Sequence, residues 1–275
     1  MDSYLVGLIG TGIGPSLSPA LHEREADELG LRYLYRRLDL DQLGLAPDRI
    51  GDLLAATRLA GYDGLNITHP CKKLVLAHLD ELDPTAAALG AVNTVIFRDG
   101  NAIGHNTDTT GFASAVRTGL PDAPLDRVVL IGAGGAGAAC AHALDTAHLT
   151  VFDRDEERAA ALVHRLGDRA ALGRSLAAAL ADADGLVHAT PTGMDAHPGM
   201  PLPADLLDPR LWVADVVYRP LTTELVETAR ARGCRVLDGG RMAVYQAADA
   251  FRLFTGRTPD EDRMLRCFDT LEVDQ

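Results

Sequence analysis

Short apolar runs alternate with segments of helical periodicity along most of the chain. Several of these runs are nearly continuous in apolar residues, as expected of strands buried on both faces of a parallel sheet. The alternation predicts an α/β fold with mainly parallel sheets and right-handed crossovers. The predicted strands are residues 4–9, 33–40, 64–68, 91–97, 127–131, 149–152, 185–189, 211–217 and 235–237, and the predicted helices include 18–29, 48–60, 135–146 and 222–232.

A linker-like stretch rich in proline and aspartate, residues 119–126, interrupts this alternation. A length of 275 residues also favours two domains, at about 150 residues each. We predict a first domain over residues 1–110 and a second over 111–241, with a connecting helix over 109–119. The closing segment, 242–275, is helical and is expected to pack back on the first domain.

The composition is that of a globular protein with a sizeable core, at 47% apolar and 24% charged residues. No apolar run reaches the roughly 18–20 residues of a membrane span. The net charge of −13 disfavours nucleic acid and anionic membranes as partners. The four cysteines are scattered and the chain starts without a basic region. We therefore expect a cytoplasmic protein without disulfides or a metal.

A glycine-rich turn follows the predicted strand at 127–131 and opens an alanine-rich helix. Gly132 permits the tight turn, Gly134 lets the backbone approach a pyrophosphate, and Gly137 allows close helix–strand packing. A purely structural turn is the alternative reading. The context of strand, turn and helix favours a Rossmann dinucleotide-binding domain.

Asp153 lies 21 residues after Gly132, at the end of the next predicted strand. An acid there binds the ribose hydroxyls of NAD and repels the 2′-phosphate of NADP, so NAD is favoured. Arg154 and Arg158 follow Asp153 in the sequence and keep NADP open as the alternative cofactor. Each could stack on adenine, lie in solvent or contact a phosphate.

Polar clusters in the first half follow predicted strand ends, where ligands bind in open α/β sheets. Ser16 and Ser18 flank a helix start, and Ser18 is suited to its N-cap. They form a cap alone, or a site for a small carboxylate. Asn93 is polar within the apolar 91–97 run and needs partners if it is buried. Asp108 either caps the following helix or serves a site.

Pro70 is predicted to start a helix, which places Lys72 in the first turn. The positive end of a helix disfavours a cation there by roughly 0.3–1 kcal/mol and so favours a neutral amine suited to proton transfer. A solvated surface lysine is the alternative, although the adjacent Lys73 fits that role better.

Together these elements resemble the shikimate dehydrogenase family over nearly the whole chain, closest to its NAD-preferring quinate/shikimate dehydrogenases. In the first half, the matching residues are Ser16, Ser18, Pro19 and His22; Asn66, Thr68, Pro70 and Lys72; the segment 90–94; and Gly104, Asn106, Thr107, Asp108 and Gly111. In the second half, they are the segments 132–137, 189–194 and 215–220, followed by Gly239, Met242 and Gln246.

The resemblance implies a two-domain enzyme that acts on a small cyclic hydroxy acid and forms a dimer or larger assembly. It places Lys72 and Asp108 in catalysis and the substrate carboxylate at Ser16, Ser18 and Tyr218. Ring hydroxyls would be held by Thr68, Asn93, Asp108 and Gln246. The implied cofactor residues are Gly132, Ala133, Gly134, Gly135, Ala136, Gly137, Asp153, Arg154, Arg158, Thr190, Val217, Gly240 and Met242.

Three alternatives share most of these motifs. They are an aminoshikimate or aminoquinate dehydrogenase, an NADP-dependent biosynthetic shikimate dehydrogenase, and a nucleotide-sensing regulator without turnover. Ser18 is the residue of shikimate-specific members, where some quinate users have Thr, so the preferred acid stays open. Intact Lys72 and Asp108 argue against the regulator.

Overall fold

The computed structural model describes residues 2–273, with the side chains of 272 and 273 left aside. The chain divides into two compact units. Unit 1 consists of Met1–Thr110 with Val244–Gln275, and unit 2 is Gly111–Ala243. Within the part of the chain that the structure describes, no helix is both long enough and apolar enough to cross a membrane.

Each unit is built on a six-stranded sheet. The strands of unit 1 are β1 (Ser3–Gly10), β2 (Arg32–Asp39), β3 (Gly64–Ile67), β4 (Glu81–Leu82), β5 (Thr94–Arg98) and β6 (Asn101–His105). The strands of unit 2 are β7 (Arg127–Ile131), β8 (His148–Phe152), β9 (Ala170–Leu172), β10 (Gly185–His188), β11 (Trp212–Asp215) and β12 (Arg235–Leu237).

Eleven α-helices lie within the described residues. They are α1 (Ser18–Glu28), α2 (Leu40–Leu43), α3 (Ile50–Leu59), α4 (Pro84–Leu89), α5 (Thr107–Gly119), α6 (Gly135–Ala143), α7 (Glu156–Leu166), α8 (Leu176–Ala181), α9 (Glu224–Ala231), α10 (Gly239–Thr255) and α11 (Glu261–Val273). Short 3₁₀ turns occupy Pro47–Arg49, Leu74–His78, Gly167–Arg169 and Ala204–Leu206.

The sheet of unit 1 has the strand order β2-β1-β3-β5-β6-β4 and is mainly parallel. Strand β5 runs antiparallel to both of its neighbours. Its first residue, Thr94, therefore pairs with Asn66 of β3 and with His105, the last residue of β6. The start of β5 thus lies at the same edge as the carboxyl ends of β3 and β6.

The core of unit 1 covers both faces of this sheet. One face packs Ile67, Leu65 and Val95 against the buried Leu54 of α3. On the other face, Phe254 of α10 lies against β1. A Cβ at Gly64 of β3 would lie 2.4 Å from the Phe254 ring. Helix α10 can therefore approach β3 this closely because Gly64 has no side chain.

The sheet of unit 2 is entirely parallel, with the order β12-β11-β10-β7-β8-β9. Strands β10 and β11 are buried along their whole length, as their apolar composition predicts for central strands with helices on both faces. The predicted α/β class with mainly parallel sheets is confirmed.

The structure corrects several predicted elements. The strand predicted over 91–97 starts only at Thr94, so Asn93 precedes it. Strands β4, β6 and β9 are not among the predicted strands, because β4 and β9 are only two and three residues long and β6 has no continuous apolar run. The closing helical segment is two helices, α10 and α11, since the chain turns at Gly256 with φ of +68°.

Candidate active site

Ser16 lies in the loop between β1 and α1, and Ser18 is the first residue of α1; both are half-buried. The predicted N-cap role of Ser18 is wrong. Ser18 is the first helical residue, and the N-cap is Leu17, whose side chain cannot accept a hydrogen bond. A turn closed by Ser16 N donating to Ile13 O (3.1 Å) precedes the helix, and Leu17 is buried. The Ser18 amide donates to Ser16 Oγ at 3.3 Å.

The segment after β3 also differs from its prediction. Pro70, preceded by a cis peptide bond, starts no α-helix, and residues 69–73 form turns. The Lys72 carbonyl instead accepts from Val92 N at 2.8 Å, which takes it out of any helical hydrogen-bond pattern. Lys72 therefore does not lie in the first turn of an α-helix that starts at Pro70, and the effect expected from that helix does not apply to its amine. This backbone bond fixes Lys72 next to the residue that precedes Asn93.

Lys72 and Asp108 form a direct ion pair. Lys72 Nζ lies 2.6 Å from Asp108 Oδ2, a short charge-assisted hydrogen bond. The Asp108 side chain is 8% exposed, whereas that of Lys72 keeps 21% of its surface. The amine is thus the accessible member of the pair and can contact a ligand, while the carboxylate is buried.

Asn93 orients this carboxylate. Its side-chain amide donates to Asp108 Oδ1 at 2.9 Å and to Thr107 Oγ1 at 3.0 Å, and its Oδ1 accepts from Thr107 N at 2.8 Å. Both amide hydrogens are therefore committed, in a side chain that is 3% exposed. A contact of Asn93 with a substrate hydroxyl would have to share one of these bonds.

The first turn of α5 explains what Asp108 does. Thr107 N is taken by Asn93, and Asp108 N donates to Asn106 Oδ1 at 3.1 Å. Asn106 therefore caps the helix, which leaves the Asp108 carboxylate to Lys72 and Asn93. The sequence analysis assigned no role to Asn106 and Thr107, although an Asn directly before a helix is itself a capping signal.

The remaining predicted substrate residues lie on other segments than Lys72 and Asp108. Thr68 follows the last residue of β3 and is half-buried, as is Gln246 on α10. In unit 2, Tyr218 lies beyond the end of β11 and is half-buried too. Their roles stay predictions.

The glycine-rich turn of unit 2 has the shape of a diphosphate cradle. Gly132 has φ of +107°, and a Cβ on it would lie 2.5 Å from the Ala189 carbonyl oxygen. A Cβ at Gly137 would lie 1.9 Å from the Gly132 oxygen. Gly134 faces open space and is the N-cap of α6, without a side-chain cap. The amides at the start of α6, near Gly135 and Ala136, are thus available to an anion.

Asp153 is anchored beside this turn. Its Oδ2 accepts from Ala133 N at 2.7 Å, and its Oδ1 accepts from Asp155 N at 2.9 Å. Arg158 is half-exposed and pairs with Asp155 at 3.2 Å. Arg154 is exposed. The carboxylate is thus held in one place, while the two arginines extend into solvent.

A buried chain of hydrogen bonds, which the sequence analysis missed, supports Thr190. Thr190 Oγ1 lies 2.5 Å from His188 Nε2, and His188 Nδ1 lies 2.9 Å from Asp215 Oδ1. Asp215 also accepts from Val217 N at 3.0 Å. The only sequence signal was a pair of polar residues, His188 and Asp215, that end two apolar strands.

The predicted cofactor residues of unit 2 lie near the ends of β7, β10 and β11. A Cβ at Gly132 would lie 2.9 Å from Thr190 Cγ2, so Thr190 borders the glycine-rich turn. A Cβ at Gly239 would lie 2.5 Å from the Val217 oxygen, which brings the start of α10, with Gly240 and the buried Met242, next to β11.

In unit 1, an accessible lysine is paired with a carboxylate. In unit 2, a glycine-rich turn precedes an uncapped helix on an entirely parallel sheet. These two features together are typical of a dinucleotide-dependent dehydrogenase. Two family models match the chain. The shikimate dehydrogenase substrate binding domain matches residues 8–95, and the shikimate 5′-dehydrogenase C-terminal domain matches residues 240–266.

Whole-chain relatives agree with these matches. A shikimate dehydrogenase (NADP(+)) of Streptomyces avermitilis is 66% identical over 96% of this chain and 94% of its own length. A quinate/shikimate dehydrogenase (NAD(+)) of Corynebacterium efficiens is 50% identical over 97% and 98%. The quinate dehydrogenase of Corynebacterium glutamicum in complex with NAD superposes with a TM-score of 0.92 at 46% identity, over 98% of this chain and 100% of that one.

The chain belongs to the shikimate dehydrogenase family. It is an oxidoreductase that acts on CH–OH groups with a nicotinamide cofactor.

Proposed function

We propose that this enzyme reversibly oxidises the C3 hydroxyl of quinate, shikimate or both to the 3-dehydro acid, with NAD as cofactor. The observation that carries the proposal is the 2.6 Å bond between Lys72 Nζ and Asp108 Oδ2. A partly exposed amine on a buried, oriented carboxylate is what removal of a proton from an alcohol requires.

Lys72 moves the proton. In oxidation, its neutral amine accepts the hydroxyl proton while the hydride leaves the ring carbon, and the C–O bond becomes a carbonyl. In reduction, the ammonium form returns that proton to the oxygen. Asp108 keeps the amine in place and stabilises its charged form, and Asn93 holds Asp108 through the other carboxylate oxygen.

The remaining polar residues would bind the acid. Ser16 and Ser18 offer hydroxyls at the start of α1, and Ser18 is free of a capping role there. They suit the substrate carboxylate. Thr68 and Gln246 suit the ring hydroxyls. Asn93 serves these contacts indirectly, because its amide hydrogens are already committed.

The glycine-rich turn fits a dinucleotide, since Gly134 opens onto free space where a pyrophosphate would lie. When bound, the nicotinamide takes up the hydride in oxidation and returns it in reduction. Asp153 would bind the adenine-side ribose and repel a 2′-phosphate, which favours NAD. The Thr190 and Val217 region would border the nicotinamide.

NADP is the second candidate cofactor, because the relative from Streptomyces avermitilis is named for NADP(+). The relative from Corynebacterium efficiens is named for NAD(+), and the C. glutamicum enzyme was solved with NAD. Arg154 and Arg158 are the exposed cations that a 2′-phosphate would meet.

Initial oxidation rates, measured for quinate and shikimate each with NAD and with NADP, test the proposal. We expect the highest kcat/KM with NAD and one of the two acids. A preference for NADP would overturn the cofactor assignment alone. Turnover of aminoquinate or aminoshikimate, without turnover of either hydroxy acid, would overturn the substrate assignment.

A further inference from the structure

The loop that carries Ser16 is held in place by acidic residues. Asp39, which is buried, accepts from Gly12 N at 3.2 Å through Oδ1 and from Ile13 N at 3.0 Å through Oδ2. Asp41 Oδ2 also accepts from Gly12 N, at 3.1 Å. Two carboxylates therefore bond directly to the loop. Both repel an anion that approaches Ser16, in a protein whose net charge is already −13.

Arg37 brings a positive charge to the same loop. Its Nη2 donates to the Ser16 carbonyl oxygen at 2.7 Å, so the guanidinium contacts the backbone of the residue whose hydroxyl is proposed to bind the carboxylate. A guanidinium has five N–H donors, and this bond uses one of them. Arg37 is exposed, so its field acts through partly screened solvent.

We propose that Arg37 is a specificity-determining residue that offsets Asp39 and Asp41 and selects substrates carrying a carboxylate at Ser16 and Ser18. This role rests on the proposed function, in which these serines bind the acid. It differs from a bracing role, because an arginine that only braced the Ser16 carbonyl would support charged and uncharged substrates equally.

The test compares shikimate with its uncharged methyl ester, both oxidised with NAD, in the wild type and Arg37→Gln. The control is Arg36→Gln, which removes the same charge from the neighbouring exposed position, on the opposite face of β2. We expect Arg37→Gln to raise the KM for shikimate about two- to fivefold, the range of exposed ion pairs, with little change in kcat. The kcat/KM for the ester should stay at the wild-type value, and Arg36→Gln should change neither.

A salt series gives a second, independent readout. In the wild type, kcat/KM for shikimate should fall as NaCl rises from about 20 to 500 mM, since screening weakens the attraction. The fall should be smaller in Arg37→Gln. Equal losses with acid and ester, or identical salt slopes in both proteins, would overturn the proposal. A wild type that oxidises neither quinate nor shikimate would instead overturn the proposed function.

Discussion

Asn93 and Lys72 bind opposite oxygens of one carboxylate. Asn93 Nδ2 donates to Asp108 Oδ1 at 2.9 Å, and Lys72 Nζ lies 2.6 Å from Oδ2. The carboxylate cannot rotate without breaking one of these bonds, so the direction of the lysine amine is set by a buried amide that does not itself transfer a proton. In the proposed mechanism, the arrangement thus separates Lys72, which would transfer the proton, from Asp108 and Asn93, which orient it.

Replacing Lys72 should remove the proton acceptor. We expect Lys72→Ala to lower kcat by about 10²–10⁴, with a smaller effect on substrate binding. The adjacent, exposed Lys73→Ala is the matched control and should keep near wild-type turnover. Wild-type turnover by Lys72→Ala would remove this residue from the mechanism.

Replacing Asn93 should affect both stability and rate. Asn93→Ala leaves Thr107 N and the buried Asp108 Oδ1 without this partner, which should lower the free energy of unfolding by about 2–4 kcal/mol and reduce kcat. Asn101→Ala removes a bond to the exposed Glu81 and should change little. Urea denaturation and steady-state rates measure the two effects. Unchanged stability in Asn93→Ala would mean that these bonds contribute nothing net.

Asp153 should control the choice of cofactor through its charge. Asp153→Asn keeps an oxygen acceptor beside Ala133 N but removes the negative charge, so kcat/KM with NADP relative to NAD should rise at least about tenfold. Asp153→Ala also loses the backbone bonds and should weaken binding of both cofactors. If Asp153→Asn leaves the cofactor ratio unchanged, the carboxylate does not discriminate between them.

Two glycines of the dinucleotide turn should respond differently to alanine. A Cβ at Gly137 would lie 1.9 Å from the Gly132 oxygen, so Gly137→Ala should destabilise the protein by about 1–3 kcal/mol or more. Gly134 has no neighbour within 4 Å, so Gly134→Ala should fold normally but raise the KM for the cofactor by obstructing the pyrophosphate. Thermal unfolding and cofactor titration separate the two. A Gly134→Ala enzyme with normal cofactor affinity would argue against this cradle.

His22 should make the protein sensitive to acid. Burial among aromatic rings lowers its pKa to about 3 from an ordinary value of 6.5. The unfolded chain therefore takes up a proton below about pH 6.5 that the folded chain refuses until about pH 3. Stability is complete above pH 6.5 and falls as pH drops through this window, by about 2 kcal/mol at pH 5.

Urea unfolding at pH 7 and pH 5 measures this loss. His22→Gln cannot titrate and should lose less stability between the two pH values than the wild type does, whatever its own starting stability. The exposed His148→Gln should keep the wild-type pH dependence. Identical pH dependence in His22→Gln and the wild type would assign the acid sensitivity to other groups.

Sequence patterns are sufficient to predict the α/β class, most of the long strands and the glycine-rich turn. These depend on local patterns, since apolar runs and glycine spacing are readable within a few residues. The sequence also identified Lys72, Asn93 and Asp108, through motifs at the ends of those runs. Strands β4 and β9 are too short to be predicted and β6 has no continuous apolar run, so these three strands are defined by their pairing partners.

The contacts of these residues depend on the three-dimensional fold and cannot be predicted from local patterns. Lys72 leaves the predicted helix because its carbonyl bonds Val92, a residue 20 positions away in the chain. Asp108 is free for Lys72 because Asn106 caps α5 in its place. The bonds of Arg37 to Ser16 and of His188 to Asp215 likewise join separate elements. Such contacts depend on strand order and register, which local periodicity does not encode, and they align Lys72, Asp108 and Asn93 as the proposed proton transfer requires.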